Sequence, residues 1–227
     1  MRRSYRTFAD RATAGGELAE LVARHLTDTA GAPEARHADR PLVLGLPRGG
    51  LPIAAAVAET VGGDLDVLIV RKIGSPRHPE FGVGAIAEDG PAEFDHDALQ
   101  YLGLTPADLA VIVERERTEL RRRARRYRGE RPAPPVAGRT VVLVDDGLAT
   151  GVTARAAARW LRARRPLRLI LAIPVCSSQA RDAIAGDTDV VLYLEAPDPF
   201  WSVGQWYDSF EQLTDDDVDQ FLTHRAR

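Results

Sequence analysis

The stretch 141–157, VVLVDDGLATGVTARAA, constrains this chain more than any other. Four apolar residues read as a strand buried on both faces, two adjacent acids end it, a loop of small residues follows, and a run of helical composition comes next. Strands of that kind belong to parallel sheets covered by helices, whose ligands bind beyond the carboxyl ends of the strands. The loop 147–153 lies at such an end and precedes a helix, so its backbone N–H groups can surround a phosphate, with Thr150 and Thr153 adding hydroxyl donors. Asp145 and Asp146 would repel that phosphate, but carboxylates accept readily from hydroxyls, and the vicinal hydroxyls of a ribose suit an adjacent pair. Strand, acid pair and cradle together describe a site for a ribose 5-phosphate.

The same alternation of strand and helix runs through the chain. Residues 16–30 carry Leu18, Leu21, Val22 and Leu26 at helical spacing and read as an amphipathic helix, followed by a polar loop rich in Ala, Pro and His. Residues 42–46 read as a strand, 47–50 as a Gly-rich turn and 51–61 as a helix. DVLIVRKIG reads as a second buried strand ending at Lys72, and IGSPRHPEFG (73–82), with two prolines and two glycines, as a mobile loop. VGAIAEDG and AEFD suit a hairpin, and 105–128 a long helix with Thr105 and Asp108 spaced as a capping box. Past the stiff linker GERPAPPVAG come strand 140–144, helix 152–165, strand 167–175, helix 178–185 and strand 189–194. The expected fold class is α/β, a mostly parallel sheet flanked by helices.

A length of 227 residues with 44% hydrophobic content suffices for one sizeable core. No apolar run approaches the roughly 20 residues a bilayer requires, and none follows the arginines of MRRSYRTFADRATAGG, so neither a membrane span nor a signal peptide is expected and the expected location is cytoplasmic. The single cysteine, Cys176, excludes an internal disulfide and a multi-cysteine zinc site, and its place at the end of an apolar run reads as a buried thiol. A formal net charge of −3 speaks against a general polyanion-binding surface. The basic run ERERTELRRRARRYR interleaves Glu114, Glu116 and Glu119 at pairing distances, so it reads as solvated or subunit-facing, compatible with a homodimer, rather than as a nucleic-acid footprint. Among 30 basic residues only Lys72 is lysine, which marks either a site that needs a compact point charge, such as a phosphate oxygen, or the chance survivor of an arginine-biased composition.

VVLVDDGLATGVT resembles the signature of type I phosphoribosyltransferases, which bind 5-phosphoribosyl 1-pyrophosphate (PRPP). The whole chain, from FADR through LPRGG to the C-terminal aromatic segment, is similar to a bacterial branch of that superfamily. A generic turn has no need of two carboxylates whose mutual repulsion costs stability. The resemblance implies that Asp145 and Asp146 hold the ribose hydroxyls while Gly147, Ala149, Thr150, Gly151 and Thr153 cradle the 5-phosphate. It puts Arg48, Gly49 and Gly50 of LPRGG on the pyrophosphate, with a non-proline cis peptide at Pro47–Arg48. It makes 73–82 a flexible loop that closes over the sugar and excludes water, with Lys72 on the pyrophosphate and Arg77, His78 and Glu80 as further polar candidates. It also implies Mg²⁺ held mainly through substrate oxygens, with Asp145 and Asp146 as additional ligands, and displacement of pyrophosphate at the anomeric carbon by a nitrogen nucleophile.

Acceptor recognition in that superfamily comes from a variable hood. Here the resemblance implies one domain over 1–227, a hood from the N-terminal region and 195–227, and an inserted hairpin and long basic helix over about 84–128. Phe200, Trp201, Trp206 and Tyr207 of DPFWSVGQWYDSF either offer faces to a small planar acceptor or pack on the core. Ala149 stands where members acting on 6-oxopurines have aspartate and adenine-type members have alanine, which disfavours hypoxanthine and guanine. Two functions of different class follow: a Mg²⁺-dependent transferase acting on a nucleobase or related nitrogen compound, and a PRPP-binding regulator with little catalysis, favoured only by the basic helix 114–128. Diphosphate transfer of the pyrophosphokinase kind fits less well, since no second nucleotide site is visible.

Overall fold

A computed structural model describes residues 5–29 and 40–223. Strands β1 (Leu42–Gly45), β2 (Asp64–Val67), β6 (Thr140–Val144), β7 (Arg168–Val175) and β8 (Val190–Glu195) form a parallel sheet in the order β2-β1-β6-β7-β8. Alternate residues of each strand point to opposite faces, and here both sets are apolar. Leu42, Leu44, Leu143 and Leu171 share a core with Trp160 and Leu161 of α5 (Val152–Arg162) and Ile184 of α6 (Ser178–Ile184). Val43, Val142, Val144 and Ile170 pack against Leu18 and Val22 of α1 (Arg11–Thr29) and Ile53 and Val57 of α2 (Gly50–Thr60). Both faces are therefore covered, as the sequence predicts.

From β1 the chain moves to β2 on one side, whereas β6 leads to β7 on the other, so the strand order reverses between β1 and β6. The crevice at such a reversal is where open parallel sheets hold ligands. The turn after β1 and the acid pair after β6 both leave the sheet there.

Between β2 and β6 lies an antiparallel sheet β3 (Val70–Gly74), β4 (Gly82–Ala87), β5 (Ala92–Phe94), then α3 (His96–Leu102), a 3-10 turn Pro106–Leu109 and α4 (Ala110–Arg128). The reading of DVLIVRKIG as one strand is corrected: β2 ends at Val67, and the chain joins a different sheet at Val70. Hydrophobicity does not mark the break because Leu68 is buried in the core under the parallel sheet and Ile69 in the core under the hairpin. Helix α1 begins five residues before the expected 16–30, at Arg11, where Asp10 Oδ1 accepts from Thr13 N at 2.7 Å. Its glycines hide it from propensity, but a Cβ on Gly15 would lie 3.2 Å from Ile53 Cα, so the close α1–α2 packing explains at least this one. The polar loop 31–39 lies outside the described residues. The β4–β5 hairpin forms as expected, and Thr105 N donates to Asp108 Oδ2 at 2.8 Å at the start of the long helix. Helices α3 and α7 (Asp215–Thr223), at 7 and 9 residues, are too short for periodicity to announce.

Several arginines of the basic helix are paired with acids of the same chain. Arg122 and Arg123 donate to Glu119 at 2.7 and 2.9 Å, Arg126 pairs with Asp216 and, at 3.1 Å, with Asp219 of α7, and the Tyr127 hydroxyl donates to Asp215 at 2.7 Å. Burial, then the hydrogen bond to Asp215, pushes the Tyr127 hydroxyl up to about 12. Cys176 is buried and its thiol is pushed up to about 11, which makes it an inert packing group. Among the described residues no helix is long and apolar enough to cross a membrane.

Candidate active site

Glycine brings the two loops at the reversal point together. A Cβ on Gly50 would lie 2.6 Å from the Val144 carbonyl oxygen, and one on Gly49 only 1.8 Å from Asp146 Oδ2, so any side chain would lift the turn off the end of β6. Leu46 N donates to Val144 O at 2.8 Å, and the Pro47–Arg48 peptide bond is cis. Gly49 and Gly50 thus pack against the acid pair, and Arg48 lines a cavity with Arg11 and Gly49.

Asp145 and Asp146 are half-buried, and Asp145 Oδ1 accepts from Asp146 N at 2.9 Å. Burial first, then the neighbouring Asp146 charge, holds the Asp145 carboxyl well above the usual carboxylate range. Burial also pushes Asp146 up, opposed by the guanidinium of Arg11 from α1. Arg11 Nε and Nη2 lie 2.9 and 2.8 Å from Asp146 Oδ2, Nη1 donates to the Glu211 carbonyl at 2.8 Å, and the guanidinium sits 3.8 Å from the Phe210 ring centroid. Below the pair, the buried Tyr207 hydroxyl donates to the Asp146 carbonyl at 2.6 Å. A cavity of about 400 Å³ opens here, lined by Arg11, Arg48, Gly49, Phe210 and residues 211–213.

The cradle follows directly. Leu148 N donates to Val175 O at 2.9 Å and the Ser177 hydroxyl to Ala149 O at 2.8 Å, which pins the base of the loop to the end of β7. Gly151, at φ 76°, turns the chain into α5, whose first-turn N–H groups have no carbonyl partner within the helix. Ala149 and Thr150 are exposed, Thr153 is half-buried, and Gly147 is packed so tightly that a Cβ would lie 2.5 Å from Val203. The expected phosphate residues therefore share one helix start beside the acid pair.

Other expected site residues lie apart from this cavity. The Lys72 ammonium donates to the Glu80 carbonyl at 2.7 Å and lines a separate cavity with Arg71, Arg115 and Glu116. Arg71, unremarked in the sequence, donates from Nε to Glu116 at 2.9 Å. Arg77, His78 and Glu80 stand exposed on the turn between β3 and β4. That turn is braced: Ser75 Oγ donates to His78 O at 2.9 Å, and Ser75 N to Phe81 O at 2.9 Å. Phe200 packs on Trp206 with centroids 6.1 Å apart, Trp201 is 81% exposed, and neither lines the Arg48 cavity. Trp206 and Tyr207 pack on Tyr5 and Phe8, where Phe8 N donates to Trp206 O at 2.8 Å, so the N- and C-terminal segments pair. The aromatic ring that does reach the cavity is Phe210.

The Tyr207 bond gives a direct test of this packing. Tyr207→Phe is expected to cost about 1 kcal/mol, because the Asp146 carbonyl loses a buried donor. Denaturant unfolding measures it, and an unchanged midpoint would contradict the role of that bond.

A parallel sheet with an acid pair and a small-residue loop leading into a helix at its reversal point defines an α/β protein whose candidate ligand site lies beyond the carboxyl ends of its strands. Residues 34–208 match the family described as the phosphoribosyl transferase domain, and the chain belongs to that family. Proteins of two Mycobacterium tuberculosis strains, each named "Putative phosphoribosyl transferase", are 40% identical over 220 residues, covering 97% of this chain and 47% of theirs. The chain thus spans about half the length of these curated relatives. The crystal structure of TT1426 from Thermus thermophilus is 40% identical and covers 96% of this chain and 98% of its own, with a TM-score of 0.77. The AQ2163 protein of Aquifex aeolicus, 15% identical with a TM-score of 0.50 over 81% of this chain and 72% of its own, shares the fold.

Proposed function

We propose that this chain is a Mg²⁺-dependent phosphoribosyltransferase that moves 5-phosphoribose from PRPP to a nitrogen acceptor and releases pyrophosphate. The observation that carries the reading is the meeting, at one reversal point, of the 47–50 turn, the Asp145–Asp146 pair and the helix-start cradle. Those three parts match the three polar parts of PRPP in order: pyrophosphate, ribose hydroxyls and 5-phosphate. Thr150, Thr153 and the first-turn amides of α5 would take the 5-phosphate, and Arg48 with the backbone of Gly49 and Gly50 the pyrophosphate.

Asp145 and Asp146 supply hard oxygen donors suited to Mg²⁺. Among the described residues no group of three or more His, Cys, Asp or Glu converges on one point, so the remaining ligands would be substrate oxygens and water. Bound there, the ion would neutralise charge on the departing pyrophosphate. Lys72 would join through movement of the β3–β4 turn, since its ammonium now rests on Glu80. Phe210, lining the cavity beside Arg48, adds an aromatic edge for a planar acceptor, and Ala149 disfavours a 6-oxopurine.

The regulator reading rests on the basic helix alone, and arginines of that helix are paired with Glu119 and with the acids of α7, which favours the transferase. A phosphorus NMR time course of the protein with PRPP, Mg²⁺ and a mixed panel of purines, pyrimidines and simple amines tests the proposal. Growth of pyrophosphate with a new phosphomonoester, dependent on one acceptor, is the expected result. Perturbed donor resonances with no turnover on any acceptor would count against transfer.

A further inference from the structure

We propose that Arg11 is a positioning residue of the ribose site, acting on the sugar through Asp146. The inference rests on the phosphoribosyltransferase reading. Two adjacent carboxylates repel each other, and either is better off swinging toward water. Asp146 does not swing: its Oδ2 is held by Arg11 Nε and Nη2 at 2.9 and 2.8 Å and faces the slot that only a glycine at position 49 leaves open. Arg11 is itself immobilised, with a side chain 12% exposed, Nη1 on the Glu211 carbonyl at 2.8 Å and its guanidinium on the Phe210 ring.

The consequence is an oxygen count that fits a ribose. Asp145 Oδ1 is taken by the Asp146 amide and Asp146 Oδ2 by Arg11, which leaves, among the described residues, Asp145 Oδ2 and Asp146 Oδ1 without a hydrogen bond. Two free oxygens, one from each acid, meet two vicinal hydroxyls. Without Arg11 the second acid has no reason to keep that orientation, and the pair carries an uncompensated charge. Lysine is not an equivalent replacement, because a point charge cannot hold a carboxylate and a carbonyl in one plane while lying flat on an aromatic ring. Arg11 also ties the ribose site to residues 207–213, since the same guanidinium grips Glu211 and Phe210 and the Tyr207 hydroxyl grips the Asp146 carbonyl.

Calorimetric titration with PRPP and Mg²⁺ tests this in a double-mutant cycle of Arg11→Met and Asp146→Asn. Arg11→Met alone is expected to weaken PRPP binding on the order of 10-fold or more, one good charge-assisted contact. In the Asp146→Asn background the same change is expected to add less than about 2-fold, because the carboxylate charge that Arg11 holds is gone. An equal loss in both backgrounds would show Arg11 touching the substrate itself and overturn the positioning role; wild-type affinity in Arg11→Met would overturn it too. Arg11→Lys is expected to recover part of the loss, and full wild-type affinity in that variant would show that charge without geometry suffices. Melting curves accompany each variant, and if Arg11→Met does not fold, Arg11→Lys in the two backgrounds runs the same cycle. A wild type that binds while Arg11→Met is unaffected fails this inference alone, whereas a wild type that does not bind PRPP fails the transferase reading and this inference with it.

Discussion

Replacing Asp145 and Asp146 together by asparagine is expected to lower PRPP affinity by roughly 100-fold or more, because two charge-assisted bonds to the ribose hydroxyls are lost at about 1.5–3 kcal/mol each. The fold is expected to survive, since asparagine keeps the Oδ1 acceptor that Asp145 offers to the Asp146 amide. Stability separates site from scaffold further. The folded Asp145 carboxyl is held well above its ordinary range by burial and by Asp146. A carboxyl raised on folding supports the folded state below its unfolded value and loses that support as pH rises through the folded value, so ionised Asp145 is a liability at neutral pH. Asp145→Asn alone is therefore expected to melt higher than wild type at pH 7, with the advantage vanishing toward roughly pH 3, below the unfolded carboxyl range. Circular dichroism melts at both pH values measure it. A variant that melts lower than wild type at pH 7 would contradict the electrostatic account of the pair.

Arg128→Met carries the largest expected loss of stability. Arg128 ends α4 with a side chain 5% exposed, donating at 3.2 Å to Asp66 of β2, at 3.0 and 2.9 Å to Glu88 after β4, and to the Val67 carbonyl. Glu88 in turn accepts from Ile69 N at 2.8 Å and holds a φ of 47°, an uncommon conformation for a residue with a Cβ. One guanidinium thus joins the parallel sheet, the crossing at 68–69 and the hairpin. Methionine fills much of the volume but strands two buried carboxylates, and breaking a buried ion network from one side costs about 3–5 kcal/mol. For a chain of this length that corresponds to a melting temperature lower by on the order of 10 °C. Adding Asp66→Asn and Glu88→Gln is expected to recover a good part of the loss. A single variant within a degree of wild type would show that the network does not hold the two sheets together.

What was legible in the sequence is what lies close together along it. Strand β6, the acid pair, the loop and α5 are contiguous, so hydrophobic period, glycine placement and acid spacing read out in one stretch, and the LPRGG turn is local in the same way. The break between β2 and β3 was not legible, because Leu68 and Ile69 continue one apolar run into two separate cores. Arg11 was invisible as a site residue, since it meets Asp146 across 135 positions and no periodicity encodes that contact. The rarity of lysine singles out Lys72 but carries no information about place: Lys72 donates to the Glu80 carbonyl on the β3–β4 turn, while Arg48 and Arg11 line the cavity beside Gly49. Among the aromatics of the C-terminal segment, the sequence points to Phe200, Trp201, Trp206 and Tyr207, whereas the chain path puts Phe210 at the cavity and leaves Trp201 in solvent.

The central claim is that the acid pair and the two loops around it form one PRPP site. Calorimetric titration of the wild-type protein with PRPP, with and without Mg²⁺ and beside the Asp145→Asn, Asp146→Asn double variant, tests it most directly. The account predicts saturable binding at one site, strengthened by Mg²⁺ and lost in the double variant. Absence of binding to the wild type, or affinity retained when both acids are replaced, would contradict it.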